Sequence, residues 1–453
     1  MAPSGHGEEA PVAGWRRSRF TVVAAAPTRE MLLYNSLTGA LARIPAASDG
    51  FVDTLAALTV GIDGPPRGVL AELALNGFFV PDDVDEEAEV DALCREEHRA
   101  VQDRLELILM PTERCNFRCV YCAQSFAKGR MTQQVIDDVI ALIRRRAPGL
   151  RFLRIGWFGG EPLVAADVIA EIGAAARRLC AEHGVVYSSG MATNGSLLTA
   201  DVFAMLIDNE VRSFQITLDG APVHHDRLRV RGDRQGGTFD TILAHLRGMK
   251  ASAEQFRVTL RVNFDARSAM DMGALLDILE KEFAGDERFG VDFHPVGRWG
   301  GPLDHTLAVC DTQEGGRLSF EHAGSAIGRG MASFGLAGRL RPGGSTCYAA
   351  RPYAFVIGSD GALYKCTVAF DDPVNQIGRL GAGGELQIDE HKHTRWTSQG
   401  ADADPGCRAC SIAPSCQGNA CPLARIRTGE RACPSIKSHV GTAMAALAPQ
   451  AIA

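Results

Sequence analysis

No apolar run in this 453-residue chain approaches the ~20 residues that a membrane-crossing helix needs. The opening stretch, MAPSGHGEEAPVAGWRRSRF, lacks the apolar centre of a secretory signal. Positive charge is not in surplus either. The chain has 47 Lys and Arg against 54 Asp and Glu, a net charge of −7, and so presents no basic footprint for nucleic acid. Internal repeats at solenoid periods are absent. These absences point to a cytoplasmic globular protein with neither a membrane nor a nucleic-acid partner. A hydrophobic content of 46% and a charged content of 22% are ordinary for that class, and the length supports a sizeable core.

Cysteine, by contrast, is abundant: there are 13. A reducing compartment disfavours a disulfide framework, and clustered thiols there more often bind metal. Ten of them fall into two groups, at 115–122 and 347–433. Cys94, Cys180 and Cys310 lie apart, and each alone reads as a small buried apolar residue.

Along the chain, residues 1–17 are polar and read as a disordered N-terminus. Residues 18–90 form a small α+β unit. RFTVVAA and MLLYNSLTGALARI read as strands around a turn, and GVLAELALNGFFV as a helix stopped at Gly77 before a short strand. A charged linker helix covers 91–103. From 104 to 340 strands alternate with helices. Six candidate strands (LELILMPT, FLRIGWFGG, VVYSSGMATNG, FQITLDG, VTLRVNF and VDFHPVG) imply an α/β fold with a parallel sheet, too short for a full eight-stranded barrel. Functional residues belong on the loops after the strand C-termini. Residues 341–438 are Gly- and Cys-rich, as in a metal-organised module, and 439–453 are a tail.

The stretch RCNFRCVYCAQ, residues 114–124, follows the first barrel strand and spaces Cys115, Cys119 and Cys122 as C-x3-C-x2-C. A 4Fe–4S cube normally takes four thiolates, one per iron. Three on one tight loop leave one iron open for an exogenous ligand, as a catalytic zinc site keeps an open position. A structural zinc site would call for a fourth Cys or His, and none stands between 111 and 131.

This run resembles the signature of the radical AdoMet (radical SAM) enzymes. Tyr121 occupies the position that packs on the adenine there. Gly159, Gly160, Glu161 and Pro162 match the family's GGEP element, and the resemblance implies that Glu161 and the neighbouring backbone hold the AdoMet amino group. Asn194 in ATNG and Thr217 in ITLDGAPVHHDRLR match later elements of the AdoMet site, and Asp219, His225 and Arg229 lie beside the fourth strand's end. The resemblance implies reductive cleavage of AdoMet to a 5′-deoxyadenosyl radical that abstracts a substrate hydrogen, with a partial (β/α)6 TIM-type barrel supplying orientation.

The later cysteines resemble the SPASM extension of this superfamily, which implies two auxiliary 4Fe–4S clusters and three in all. By that resemblance Cys407, Cys410, Cys416 and Cys433 serve the outer cluster, and Cys347, Cys366 and Cys421 the inner one, with an iron left open. CQGNAC departs from the family spacing by one residue. Cys310 stands as a candidate fourth ligand, or as a thiol hydrogen donor grouped with Asp219 and Arg229 as catalytic. A zinc-ribbon pair is the alternative for this region.

SPASM enzymes modify peptides or proteins, and the N-terminal unit resembles the winged-helix-like domain of ribosomal-peptide maturases. That domain docks a leader peptide on a sheet edge. The implied partners are a precursor peptide and an electron donor such as a flavodoxin or ferredoxin. The implied reaction is thioether or other side-chain crosslinking, with epimerisation as an alternative. Anaerobic sulfatase maturases carry an Asp base where this chain has Thr367, so that reading ranks lower. An iron–sulfur electron carrier is the non-catalytic alternative. His294, Arg261 and Asn263 are candidates for the substrate mouth.

Overall fold

A computed structural model describes residues 14–26, 29–398, 400 and 404–448. The N-terminal unit has a three-stranded antiparallel sheet, Thr21–Ala25, Met31–Asn35 and Leu41–Ile44, with helices Gly50–Val60 and Val69–Leu75 against it. The sequence reading missed the first of these helices. It also placed residues up to 17 in a disordered segment, whereas Trp15–Arg17 is a strand paired with Phe79–Pro81. Apolar Trp15 and the Phe78–Phe79 pair supply the packing that orders it. Residues 1–13 lie outside the described residues.

The catalytic-size unit begins with β1 (Arg104–Leu109) and continues through β2 (Phe152–Trp157), β3 (Val186–Thr193), β4 (Val211–Thr217), β5 (Arg257–Phe264) and β6 (Phe289–Pro295). All six expected strands form. They pair in parallel in the order 6-5-4-3-2-1, with helices such as Gln133–Arg146 and Ala166–His183 between them. The first of these helices follows from its sequence. Thr132 caps its N-terminus by accepting from the Val135 amide at 3.4 Å, and Ile136, Val139, Leu142 and Ile143 form its buried face.

The sheet does not stop at β1. Four strands of the Cys-rich region, β7 (Ala354–Ile357), β8 (Ala362–Tyr364), β9 (Gln376–Gly381) and β10 (Glu385–Ile388), extend it to ten. β7 pairs with β1 in parallel, and the rest are antiparallel. The Cys-rich region is thus built onto the barrel's first strand.

The expected tail also has structure. Helix Val440–Leu447 buries Ala443, Met444 and Leu447, and packs on helix Thr312–Gly328 and on the N-terminal sheet. Its small and apolar face closes the joint between these two parts. Residues 449–453 lie outside the described residues. Among the described residues no helix is long and apolar enough to cross a membrane.

Candidate active site

The cysteine loop leaves β1 and is stitched in place twice. Its short strand Phe117–Cys119 pairs antiparallel with Arg229–Arg231, so that Arg229 stands opposite Cys119. On the other side, the Gly160 amide donates to Thr112 O at 3.2 Å and the Glu161 amide to Arg114 O at 2.9 Å. A Cβ on Gly160 would lie 2.3 Å from Glu113 O and 2.4 Å from Arg114 O, and Gly159 has φ +133°. The two glycines were expected to let the backbone approach a ligand. The approach they permit is to the cysteine loop itself, although both also line the cavity described next.

Cys115, Cys119, Cys122, Tyr121, Asn194, Thr217 and Arg229 line a cavity of about 670 Å³ at the C-terminal ends of the strands. It continues into the barrel, where the register partners Gly156 on β2 and Gly190 on β3 leave room that side chains would fill. The far wall comes from the Cys-rich region, through Tyr348, Thr367 and Val368.

Beneath this floor lies a polar network. The Tyr121 hydroxyl donates to Asp219 and accepts from Arg229 Nη1 at 2.7 Å. Asp219 is fully buried. It also accepts from the Asn263 amide at 2.9 Å and from Asn263 Nδ2 at 3.1 Å, and faces Arg229 at 3.5 Å. The expected catalytic carboxylate is therefore occupied and does not line the cavity. The rest of HDRLR holds this arrangement. His225 Nδ1 accepts from the Asp219 amide at 3.1 Å, so its Nε2–H is directed to Thr238 Oγ1 at 3.0 Å, and burial keeps the ring neutral. Asp226 accepts from the Thr238 and Phe239 amides at 2.7 and 3.1 Å, at the start of helix Phe239–Ala251. The Arg229 Nε atom is buried with no partner among the described residues.

Glu161 is engaged within the protein. Its carboxylate accepts from Thr193 Oγ1 and the Asn194 amide, both at 2.7 Å, and from the Leu163 amide at 3.1 Å. It ties the end of β2 to the end of β3, and neither Glu161 nor Pro162 reaches the cavity wall. Burial raises its pKa, and these three donors oppose the rise. Asn194, which Glu161 positions, is at the wall and donates to Asn116 Oδ1 at 2.8 Å.

Cys310 lies on the side of the inner-cluster cysteines, where the reading of it as a fourth ligand would place it. It does not share the cavity of Asp219's network. It lines a second cavity of about 700 Å³ together with Cys347, Cys421 and Cys433. The turn after β6 and helix Thr312–Gly328 carry it there. Cys94 and Cys180 stay apart from both cavities. His294 sits at the second cavity as well, bonded to Asp292 at 2.7 Å.

The remaining cysteines separate into two neighbourhoods. Cys366 lies within electrostatic reach of Cys347 and Cys421, and Cys416 within reach of Cys407, Cys410 and Cys433. The same division is the one the SPASM resemblance implies. The residue after Cys366, Thr367, reaches the first cavity, where its hydroxyl lies 2.9 Å from the Tyr348 hydroxyl. The sequence reading passed over Tyr348 and Gln124. Gln124 Nε2 donates to Gly159 O at 2.7 Å, and its Oε1 is buried without a partner among the described residues. A polar side chain two residues past the last loop cysteine was the signal available.

The donor set fits iron–sulfur clusters. Burial pushes the Cys115 thiol up to about 11 and Cys119 up to about 12, and raises Cys122. Nucleophilic cysteines have depressed pKa values, so these thiols suit metal, whose charge offsets the cost of the buried thiolates. Among the described residues no three His, Cys, Asp or Glu side chains converge on a single ion. Tetrahedral thiolates on one zinc would lie about 3.8 Å apart, from a ~2.3 Å bond. Three thiols on one loop beside an open cavity suit a cluster that offers each its own iron. For AdoMet, the observations are the open cavity beside the loop and the polar atoms of Asn194 and Thr217 at its wall.

Residues 109–260 match the model of the Radical SAM superfamily. Mycofactocin maturase MftC of Mycolicibacterium smegmatis is 26% identical over 336 residues, which span 70% of this chain and 78% of that protein. GTP 3',8-cyclase 1 of Pseudomonas aeruginosa is 33% identical over 175 residues, 38% of this chain and about half, 49%, of the cyclase. In structure, native anSMEcpe with bound AdoMet and Cp18Cys peptide aligns with TM-score 0.59 at 16% identity, covering 77% of this chain and 98% of that one. Streptococcus suis SuiB bound to precursor peptide SuiA aligns with TM-score 0.50 at 15% identity over 92% of this chain and 98% of SuiB, a likeness of fold. The cysteine loop, the GGEP turn, Asn194, Thr217 and Arg229 all fall inside the matched segment, so residues 109–260 carry a Radical SAM domain.

Proposed function

We propose that the protein is a peptide maturase, one that forms a thioether or other side-chain crosslink in a ribosomally made precursor. The observation that carries this reading is a single cavity walled on one side by the three-cysteine loop and on the other by the segment following Cys366. In this reading Cys115, Cys119 and Cys122 hold a 4Fe–4S cluster with one open iron, and Asn194, Thr217 and the Gly159–Gly160 backbone cradle AdoMet. Cys407, Cys410, Cys416 and Cys433 hold an outer auxiliary cluster, and Cys347, Cys366 and Cys421 an inner one. When bound, the reduced cluster and AdoMet supply one-electron C–S cleavage and a hydrogen-atom abstractor. An electron donor of the flavodoxin or ferredoxin type would provide the electron.

The chain's own residues orient and enclose. Arg229 and Asp219 lock Tyr121, and with it the spacing of the cysteines on either side. Glu161 fixes the ends of β2 and β3, so that Asn194 meets its ligand without reorganising. The walls from Tyr348 and Thr367 keep bulk water from the reacting atoms.

Two features favour crosslinking over the alternatives. At Thr367, where a sulfatase-type maturase carries a carboxylate, the hydroxyl is held by Tyr348 and offers no base. Among the described residues the thiols lining the first cavity are the three of the loop, and Cys310 lines the second, away from where an epimerase would need a hydrogen donor.

A precursor peptide has a landing place in the N-terminal unit. Strand Leu41–Ile44 pairs only with Met31–Asn35 among the described residues and leaves an edge for a further strand. Beside that sheet, helix Gly50–Val60 exposes Val52, Leu55 and Val60.

Anaerobic reconstitution with iron and sulfide, followed by AdoMet, dithionite and mass spectrometric measurement of 5′-deoxyadenosine, tests the reaction class. Product from the wild type, and none from the Cys115→Ala, Cys119→Ala, Cys122→Ala variant, is expected. No product, even with a candidate precursor peptide present, overturns the reading and favours an electron carrier.

A further inference from the structure

Arg261 lies on β5 and lines the first cavity. Its Nε donates to Asn263 Oδ1 at 2.9 Å, which sets the plane of the guanidinium. An arginine has five N–H donors, and this contact uses one. The side chain is embedded in protein, and the exposure it keeps is to the cavity. Burial accordingly lowers its pKa.

The nearby charges do not balance. Arg229 is matched by Asp219 at 3.5 Å, and Arg339 by Asp292 at 3.1 Å. Asp292, the register partner of Arg261 on β6, is further engaged by His294 at 2.7 Å, and His294 has a lowered pKa. Arg261 forms no ion pair of its own among the described residues. Of these three guanidinium groups Arg261 is thus the one without an ion pair among the described residues, and it opens onto the cavity that would hold substrate. A buried cation is stable only when paired, and a planar fork with free N–H groups pairs best with a carboxylate.

We propose that Arg261 is a carboxylate-binding site for the peptide substrate, oriented by Asn263 and left without an ion pair among the described residues. This rests on the peptide-maturase reading and narrows it. The residue attacked would lie close to a carboxylate, either an acidic side chain or the peptide's own C-terminus.

The test uses the reconstituted full chain with AdoMet bound, and anaerobic equilibrium dialysis of three labelled probes. Acetyl-glutamate N-methylamide carries only a side-chain carboxylate, acetyl-alanine only a terminal one, and acetyl-glutamine N-methylamide neither. One acid is expected to bind about tenfold or more tighter than the neutral probe, and the identity of that acid distinguishes the two sources. Arg261→Gln is expected to remove the preference, and Arg261→Lys to retain part of it. Equal binding of all three probes to the wild type overturns the proposal without recourse to any variant. So does an acid preference that survives in Arg261→Gln, or an Arg261→Gln protein weakened about tenfold for AdoMet alone, which would make the cofactor's carboxylate the partner. 5′-Deoxyadenosine measured on the same preparation separates the two readings: its absence refutes the maturase, whatever the probes show.

Discussion

Arg229 stands opposite Cys119 across a two-stranded ribbon and turns its guanidinium to the Tyr121 hydroxyl at 2.7 Å. One residue therefore holds the cysteine loop by backbone pairing on one side of Cys119 and by a side chain on the other. Its charge is felt at all three loop thiols, where it lowers their pKa against the larger effect of burial. A fixed cation beside three thiolates is suited to stabilise an anionic cluster.

Tyr121→Phe should loosen this loop. The change removes one hydrogen bond from Arg229 and one from buried Asp219, which keep their 3.5 Å contact with each other, a loss of about 1–3 kcal/mol. The expected outcome is a lower thermal midpoint and weaker AdoMet binding with iron content retained, measured by calorimetry, dialysis and iron assay. Unchanged AdoMet affinity would show that the hydroxyl network does not position the loop.

Gly160→Ala should be more damaging than its size suggests. The new methyl would meet two carbonyl oxygens at 2.3 and 2.4 Å, both on the segment leading into Cys115. The turn and the cysteine loop cannot both keep their places. Reconstituted protein is expected to lose AdoMet-dependent 5′-deoxyadenosine formation, while the auxiliary iron remains.

The two sets of later cysteines should separate in an iron assay. Cys416→Ala and Cys347→Ala are each expected to lower bound iron by about four atoms per chain, one cluster's worth. Their combination should lower it by about eight. If either single change removes all the auxiliary iron, the cysteines act as one site.

His393 gives a pH dependence outside the active cavity. It stacks on Phe355 with ring centroids 5.7 Å apart, and burial lowers its pKa from 6.5 to about 4. Between these values the unfolded chain binds the proton and the folded one does not. Stability should be complete above pH 6.5 and fall as pH drops towards 4. The effect is about 1–2 kcal/mol after allowing for its partial exposure. His393→Phe keeps the stacking and should flatten the profile relative to wild type in denaturant titrations at pH 7, 5.5 and 4.5. Parallel profiles for the two proteins would rule this assignment out.

All six barrel strands were legible, because each is a short apolar run bounded by turn residues and separated from the next by helical spacing. The loop chemistry was legible for a related reason: Cys115, Cys119 and Cys122 are neighbours in the chain, so spacing alone brings them together. Glu161 was harder. Its motif marks it as functional, but only the approach of Thr193 and Asn194, more than 30 positions away, shows its carboxylate turned from the cavity. Helix Gly50–Val60 was missed because its apolar residues lie on more than one face, with Val52 and Leu55 exposed and Ala57 buried. The final helix read as a tail, since a short run of small residues gives no sign of the partner that covers it.

By itself the sequence determined what is local: the thiol count and spacing, the glycine turn, the strand and helix periods, and hence an iron–sulfur chemistry on an α/β frame. Tertiary structure alone decided what depends on contacts between distant segments. It put Cys310 with Cys347 and Cys421 rather than with Asp219, carried the sheet from β1 into the Cys-rich region, brought Thr367 to the wall facing the cysteine loop, and left Arg261 without an ion pair among the described residues. Spacing reports on chemistry within a few residues. Which charges balance, and which cavity a side chain enters, is set by packing across the whole fold.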